Sequence, residues 1–237
     1  MRVLVTRPSE DATRLAQRLA ALGVVAVAAP LLDIHYIAGD ELNLDGVQAV
    51  LFTSANGVRA FAMRSSHRTL PALCVGDATG REAVAAGFTN VKSAAGDVAA
   101  LADLVKNERD PAAGALLHPA GSRVAGDLAD RLQDAGYTYC REVLYEAVKA
   151  AALPEAARAA LAAGDPDGGV DGVLLYSPRT GAAFAQLVRD AGLSDALGQV
   201  TAYCLSQAVA EEVQGLPWAA VKVAVRPDQD ALLALLA

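Results

Sequence analysis

Small polar residues follow short apolar runs at seven places along the chain: Thr6 and Arg7; Thr53, Ser54 and Asn56; Asp77 and Thr79; His118, Ser122 and Arg123; Tyr176, Ser177, Arg179 and Thr180; Ser206 and Gln207; Arg226. Hydroxyls, amides and guanidinium groups placed where a strand gives way to a helix suit the binding of anions, because the first turn of a helix presents unpaired N–H groups at the same spot. The same hydroxyls are the usual helix caps, and Thr79-x-x-Glu82 has the spacing of a capping box, so for any single Ser or Thr capping ranks ahead of ligand contact. Arginines have less reason to stand there, and for Arg7 and Arg179 a solvated side chain and an anion contact weigh equally. Tyr145 lies in the strand-like phrase EVLYEAV. Alternation puts Val143 and Tyr145 on one face and Leu144 on the other. Packing is the plainer account of a tyrosine in such a strand, while a phenol facing a ligand offers a hydrogen-bond donor or weak acid.

The elements that must position these groups follow from the hydrophobic pattern. RVLVT precedes ATRLAQRLAALG, AVLFTS precedes NGVRAFAMR, ALCVGDA precedes GREAVAAG, and GALLHPA comes before DLADRLQDAG. Short aliphatic runs alternating with helix-period segments predict βα units and parallel sheets. Gly23, Gly87, Gly136 and Gly192 stand just past alanine- and leucine-rich runs, where a left-handed helix C-cap wants glycine.

The chain also repeats itself. TSANGVRAF at 53–61 returns as YSPRTGAAF at 176–184, CVGDATGREAVAAGF at 74–88 as CLSQAVAEEVQGL at 204–216, and GDVAALADL at 96–104 as RPDQDALLALL at 226–236. The fourth unit, LHPAGSRVAGDLADRLQDAG at 117–136, finds its match at the front, in VTRPSEDATRLAQRLAALG at 5–23, with Leu128 and Leu132 answering Leu15 and Leu19. One domain therefore spans 39–139, inserted into a relative assembled from 1–34 plus 150–237. The segments 30–38 and 140–149 are the linker strands of a two-stranded ladder. Two Rossmann-like or flavodoxin-like α/β domains with parallel sheets, hinged about a cleft, are expected.

Composition bounds the function. A 54% hydrophobic content over 237 residues supplies a sizeable core. A net charge of -7, without a basic run, argues against nucleic acid as a partner. The longest apolar stretch near the front, 24–32, is too short for a bilayer and holds Pro30, and MRVLVTRP lacks a signal-peptide layout, so a cytoplasmic protein is expected. Cys74, Cys140 and Cys204 have no CxxC spacing and read as buried thiols. His35, His67 and His118 lack paired ligand spacing, so no metal is expected. No G-x-G-x-x-G, Walker, G-x-S-x-G or HExxH motif is present.

VLVTRP, LFTSANGVRAF, CVGDAT, LHPAGSR, LYEAV, LLYSPRT and VRPDQDALLALL, in this order, resemble uroporphyrinogen-III synthases over essentially the whole chain. One departure is CLSQAVA, where many relatives carry a loop like VGDAT, and it sets Ala208 or Ser206 at the position matching Thr79. The resemblance implies a cofactor-free, metal-free lyase that cyclises linear hydroxymethylbilane to uroporphyrinogen III, inverting ring D and releasing water, in haem biosynthesis. Loss of the hydroxyl gives an azafulvene, attack by ring D gives a spiro intermediate, and this fragments and recloses. By resemblance, Tyr145 matches the family tyrosine that assists hydroxyl departure. The substrate is a polycarboxylate, which accounts for anion-binding rims at Thr6, Arg7, Ser54, Asn56, Asp77, Thr79, His118, Arg123, Ser177, Arg179, Thr180 and Ser206. A monomer in transient contact with hydroxymethylbilane synthase is the partner expectation. Two rivals are a non-catalytic two-domain protein that binds an anionic small molecule, and a flavodoxin-like or nucleotide enzyme, which flavin colour would reveal.

Overall fold

Four-residue aliphatic runs such as RVLV and GVLL become strands here because helices cover both sheet faces, so nearly every position of a central strand is apolar. The computed structural model describes residues 1–123, 126–163 and 168–236. In chain order its elements are β1 (Arg2–Val5), α1 (Ser9–Ala21), β2 (Val25–Ala28), β3 (Leu32–Tyr36), β4 (Val47–Phe52), α2 (Ala55–Arg64), β5 (Ala72–Cys74), α3 (Asp77–Ala85), β6 (Val91–Ser93) and α4 (Val98–Glu108). There follow β7 (Ala115–Gly121), α5 (Leu128–Asp134), β8 (Tyr139–Lys149), α6 (Glu155–Ala163), β9 (Gly172–Leu175), α7 (Pro178–Asp190), β10 (Thr201–Cys204), α8 (Gln207–Val213), β11 (Ala220–Val223) and α9 (Gln229–Leu233).

The chain divides into two compact units. Unit 1 comprises Met1–Asp33 with Val148–Ala237, and unit 2 comprises Ile34–Ala147. Unit 1 holds a parallel sheet in the order β11-β10-β9-β1-β2. Counted along its own chain that order is 2-1-3-4-5, the flavodoxin-like winding. In unit 2, strands β8-β7-β4-β5-β6 run parallel in the equivalent order, with β3 beyond β8. Matching the repeats strand by strand sets β4 with β9, β5 with β10, β6 with β11, β7 with β1 and β8 with β2, so the second sheet is a circular permutation of the first. The segment 140–149, read from sequence as a linker, begins as a sheet member: Tyr139 to Tyr145 pair with β7.

Each sheet separates two cores. In unit 2, Val50 and Phe52 of β4 pack with α2 and α3, while Ala49 and Leu51 face α4 and α5. In unit 1, Val173 and Leu175 of β9 pack with α6, α7 and α8, and Leu174 faces α1 and α9. Phe61 and Phe184, the last residues of the opening repeat, are both fully buried. The four glycines expected to end helices all have positive φ, between 68° and 98°. No helix among the described residues is long and apolar enough to cross a membrane.

Three local expectations are corrected. Alternation fails at Tyr145, because the β7–β8 register slips so that Ala120 faces Val143 and Gly121 faces Tyr145. The slip turns Leu144 and Tyr145 into the same core and leaves Val143 exposed. Thr79 and Glu82 form no capping box: the N-cap of α3 is Gly76, and Thr79, one turn in, is buried. Cys140 is exposed, whereas Cys74 and Cys204 are buried and their thiols are pushed up by desolvation to about 12 and about 11.

Candidate functional site

In an open parallel sheet the ligand crevice lies beyond the carboxyl ends of the strands where the winding reverses. In unit 2 that point falls between β4 and β7, and in unit 1 between β9 and β1. The opening repeat occupies both points, since TSANGVRAF follows β4 and YSPRTGAAF follows β9.

At the unit 2 switch point Ser54 is the N-cap of α2, its Oγ accepting from the Gly57 N–H at 3.2 Å. The same Oγ lies 2.8 Å from the Tyr145 hydroxyl, which reaches it from β8. The intervening strand permits this because its last residue is Gly121. A β-carbon there would stand 2.9 Å from Tyr145 Cε2 and 3.0 Å from Cζ. Gly57 has a similar reason to be glycine, since a β-carbon would lie 2.6 Å from the Pro119 carbonyl oxygen. Arg141 secures the end of β7 by donating to the carbonyls of Gly121 and Ser122 at 2.6 and 2.9 Å.

Beside this pair runs a second link between the same strands. His118 of β7 is 2% exposed, with Nε2 2.9 Å from Thr53 Oγ1 and Nδ1 2.5 Å from the Tyr139 hydroxyl. Neutral imidazole donates from one nitrogen only, so one hydroxyl donates to the ring and the other accepts from it. Burial, reinforced by the Arg141 charge, lowers the His118 pKa from 6.5 to about 4. His118 is therefore neutral at pH 7 and sealed from a ligand, which corrects its assignment as a substrate contact.

A pH dependence follows. The unfolded chain takes up a proton at His118 below about pH 6.5 while the folded chain resists to about pH 4, so stability falls as pH drops through that window. The loss by pH 4 approaches about 3 kcal/mol. Urea titrations at pH 7, 5.5 and 4.5 should register it, and His118→Gln should flatten the slope even if it lowers the whole curve.

The remaining candidates fall into three groups. Asn56, in the first turn of α2, accepts from Arg59 Nη1 at 3.1 Å, and Arg59 also grips Glu82 of α3 at 3.0 and 3.2 Å. In unit 1, Ser177 caps α7 as Ser54 caps α2, with Oγ 3.2 Å from the Thr180 N–H and 2.8 Å from Thr180 Oγ1. Asp77 and Arg179 are exposed in the first turns of α3 and α7, Arg123 is exposed just past the end of β7, and Ser206 is the N-cap residue of α8 with no side-chain cap bond.

Others are withdrawn from the rim. Thr6 is fully buried and its hydroxyl donates to the Leu174 carbonyl at 2.7 Å, so it ties β1 to β9. Arg7 pairs with Asp11 at 2.7 Å, donates to Gln229 at 3.2 Å, and lies 4.8 Å from the centre of the Tyr176 ring. Thr79 belongs to the core side of α3, and the position matching it in the second copy is Val209, also buried, rather than Ala208 or Ser206. The alignment is fixed by Cys74 and Cys204, each ending its strand three residues before the next helix begins.

Sequence reasoning missed Arg59, Tyr139, Gly121 and Arg141, and took Glu82 for half of a capping box. Only Gly121 carried a local signal, as a glycine in the quoted LHPAGSR. Among the described residues, no group of three His, Cys, Asp or Glu could hold a metal ion.

Two doubly wound α/β units, one a circular permutation of the other, with a phenol–hydroxyl pair at a switch point, define a class of two-domain α/β proteins with parallel sheets. The family model described as uroporphyrinogen-III synthase HemD matches residues 13–234, and the chain belongs to that family. Among solved structures it is similar to uroporphyrinogen-III synthetase from Helicobacter pylori, with TM-score 0.64 and 18% identity over 100% of this chain and 98% of the other. It is also similar to a mutant uroporphyrinogen III synthase from Thermus thermophilus, with TM-score 0.55 and 17% identity over 100% and 97% of the two chains. At such identities the likeness concerns the fold. Comparison with curated proteins gives no match.

Proposed function

We propose that this protein closes hydroxymethylbilane to uroporphyrinogen III, inverting ring D and releasing water, as a cyclising lyase of tetrapyrrole biosynthesis. Membership of the uroporphyrinogen-III synthase family supports the reaction. The observation that carries the site is Tyr145, held 2.8 Å from the cap of α2 at the switch point of unit 2. In this reading the Tyr145 hydroxyl donates to the departing oxygen of the hydroxymethyl group. The C–O bond breaks, the oxygen leaves as water, and the proton lost from the pyrrole carbon at ring closure restores the phenol.

The substrate's reactive methylene needs no enzymatic nucleophile, so orientation of the chain ends supplies most of the advantage over spontaneous closure. Ser54, Asn56, Asp77, Arg123, Ser177, Arg179 and Ser206 remain as rim candidates for the carboxylates, together with backbone N–H groups at the helix starts, while Thr180 is as buried as Thr79 and leaves the set. Arg7 enters this set only by exchanging Asp11 for a substrate carboxylate. A monomer acting in the cytoplasm, in transient contact with hydroxymethylbilane synthase, belongs to the same proposal.

The test supplies hydroxymethylbilane from its upstream deaminase and separates the oxidised porphyrin isomers. Isomer III is expected, and isomer I alone from folded protein would overturn the proposal in favour of a binding protein. Tyr145→Phe should lower kcat about ten- to a hundred-fold, the worth of one hydrogen bond to a group developing charge, without abolishing turnover. Unaltered turnover would remove Tyr145 from the mechanism.

A further inference from the structure

The serine at the N-cap of α2 serves a second partner besides its own helix. Its oxygen has two acceptor lone pairs and one proton. The Gly57 N–H occupies one lone pair at 3.2 Å, and the Tyr145 oxygen stands 2.8 Å away. Two arrangements satisfy those distances. Either Tyr145 donates into the second lone pair, which spends the phenol's proton inside the protein, or Ser54 donates to Tyr145, which leaves the phenol's proton free.

The equivalent serine of the other copy decides what is special here. Ser177 caps α7 with the same geometry, but its hydroxyl partner is Thr180, a residue of its own helix. Unit 2 has Gly57 where unit 1 has Thr180, and Gly57 brings no hydroxyl. Ser54 is thereby left to a phenol arriving from β8, across a strand end that Gly121 keeps clear.

We infer that Ser54 is a positioning residue for Tyr145: it accepts from the α2 N-terminus, donates to the phenol oxygen, and so directs the phenol's own proton to the leaving hydroxyl of the substrate. The chain runs from the Gly57 N–H to Ser54 Oγ–H, then to Tyr145 Oη–H, then to the departing oxygen. Both hydroxyls accept as well as donate, so polarisation by the helix start strengthens the next bond along. Protons balance, because Ser54 keeps its own proton, the one that leaves with water comes from Tyr145, and ring closure returns one. The inference rests on the role proposed for Tyr145 and removes Ser54 from the list of substrate contacts.

The test is a double-mutant cycle on kcat and KM with enzymatically generated hydroxymethylbilane. Ser54→Gly deletes the hydroxyl yet keeps a residue that N-caps nearly as well as serine, so the melting curve reports whether the fold is retained. The expected result is a fall in kcat of about ten-fold, the worth of one hydrogen bond, with KM within two-fold of the parent. Ser54→Thr should restore most of kcat. Adding Ser54→Gly to Tyr145→Phe should cost less than two-fold further, because a residue that acts only through the phenol has nothing left to orient. Additive losses in the double variant, or a change confined to KM, would mean that Ser54 touches substrate or only caps its helix. Failure of the parent protein to form isomer III would instead strike the proposed reaction itself.

Discussion

Replacing Glu82 with alanine should destabilise unit 2 by about 3 kcal/mol, one of the largest effects expected of any polar substitution in the chain. Glu82 and Arg59 have side chains only 9% and 13% exposed, and the guanidinium engages both carboxylate oxygens as a fork, at 3.0 and 3.2 Å. The pair joins α3 to α2, and the third arm of Arg59 holds Asn56 in the first turn of α2. Removing the carboxylate takes the forked anion away from a largely shielded cation, so the cost comes from the lost charge compensation more than from the lost bonds. Removing both charges at once is the discriminating control. Arg59→Met with Glu82→Leu fills similar volume without charge and should cost less than Glu82→Ala alone. Urea unfolding at pH 7 measures both, and a double variant worse than the single one would show that the pair contributes net stability.

The effect should reach the site, because Arg59 steadies the turn that carries Ser54. Glu82→Ala is expected to lower kcat even where the protein remains folded. The pair was not legible in the sequence: its members lie 23 residues apart on different helices, and Glu82 stood at a spacing that read as a capping box. That reading failed because the strand before α3 ends early enough for Gly76 to take the cap, which rotates Thr79 toward the core.

What the sequence disclosed well was repetition. The leucine pairs Leu15/Leu19 and Leu128/Leu132 share their spacing because each anchors a helix to the same face of an equivalent sheet, and burial of all four confirms the match. Tyr145 could be singled out but not oriented, since period-2 alternation assumes an unbroken ladder, and β8 carries an extra residue, Leu144, between the partners of Ala120 and Gly121. The Ser54–Tyr145 pair spans 91 residues and the Thr53–His118 link 65, and no local pattern encodes which hydroxyl meets which ring. Hydroxyls were read as rim groups because capping and ligand contact use the same residue types. Only the structure separates Thr6, spent inside the sheet, from Ser54, which retains a partner on another strand.

Gly121→Ala should abolish most of the activity while adding only a methyl group. The new β-carbon would lie 2.9 Å from Cε2 and 3.0 Å from Cζ of Tyr145, closer than carbon atoms approach, so either the ring or the end of β7 must move. The end of β7 resists, because Arg141 holds the Gly121 and Ser122 carbonyls and the Ser122 N–H donates to the Tyr145 carbonyl at 2.9 Å. The ring is the softer element, and turning it carries the hydroxyl away from Ser54. A displacement approaching 1 Å at a group that must meet a departing oxygen costs about a hundred-fold in rate. The methyl removes no functional group, so the loss isolates position from chemistry, and Tyr145→Phe added to Gly121→Ala should lower kcat little further. Steady-state kinetics with the isomer ratio as a second readout decide the matter. The ratio should shift toward isomer I, because spontaneous closure proceeds unaided once the ordered route slows. Full kcat in Gly121→Ala would mean that the position of Tyr145 over the strand end is incidental to the reaction.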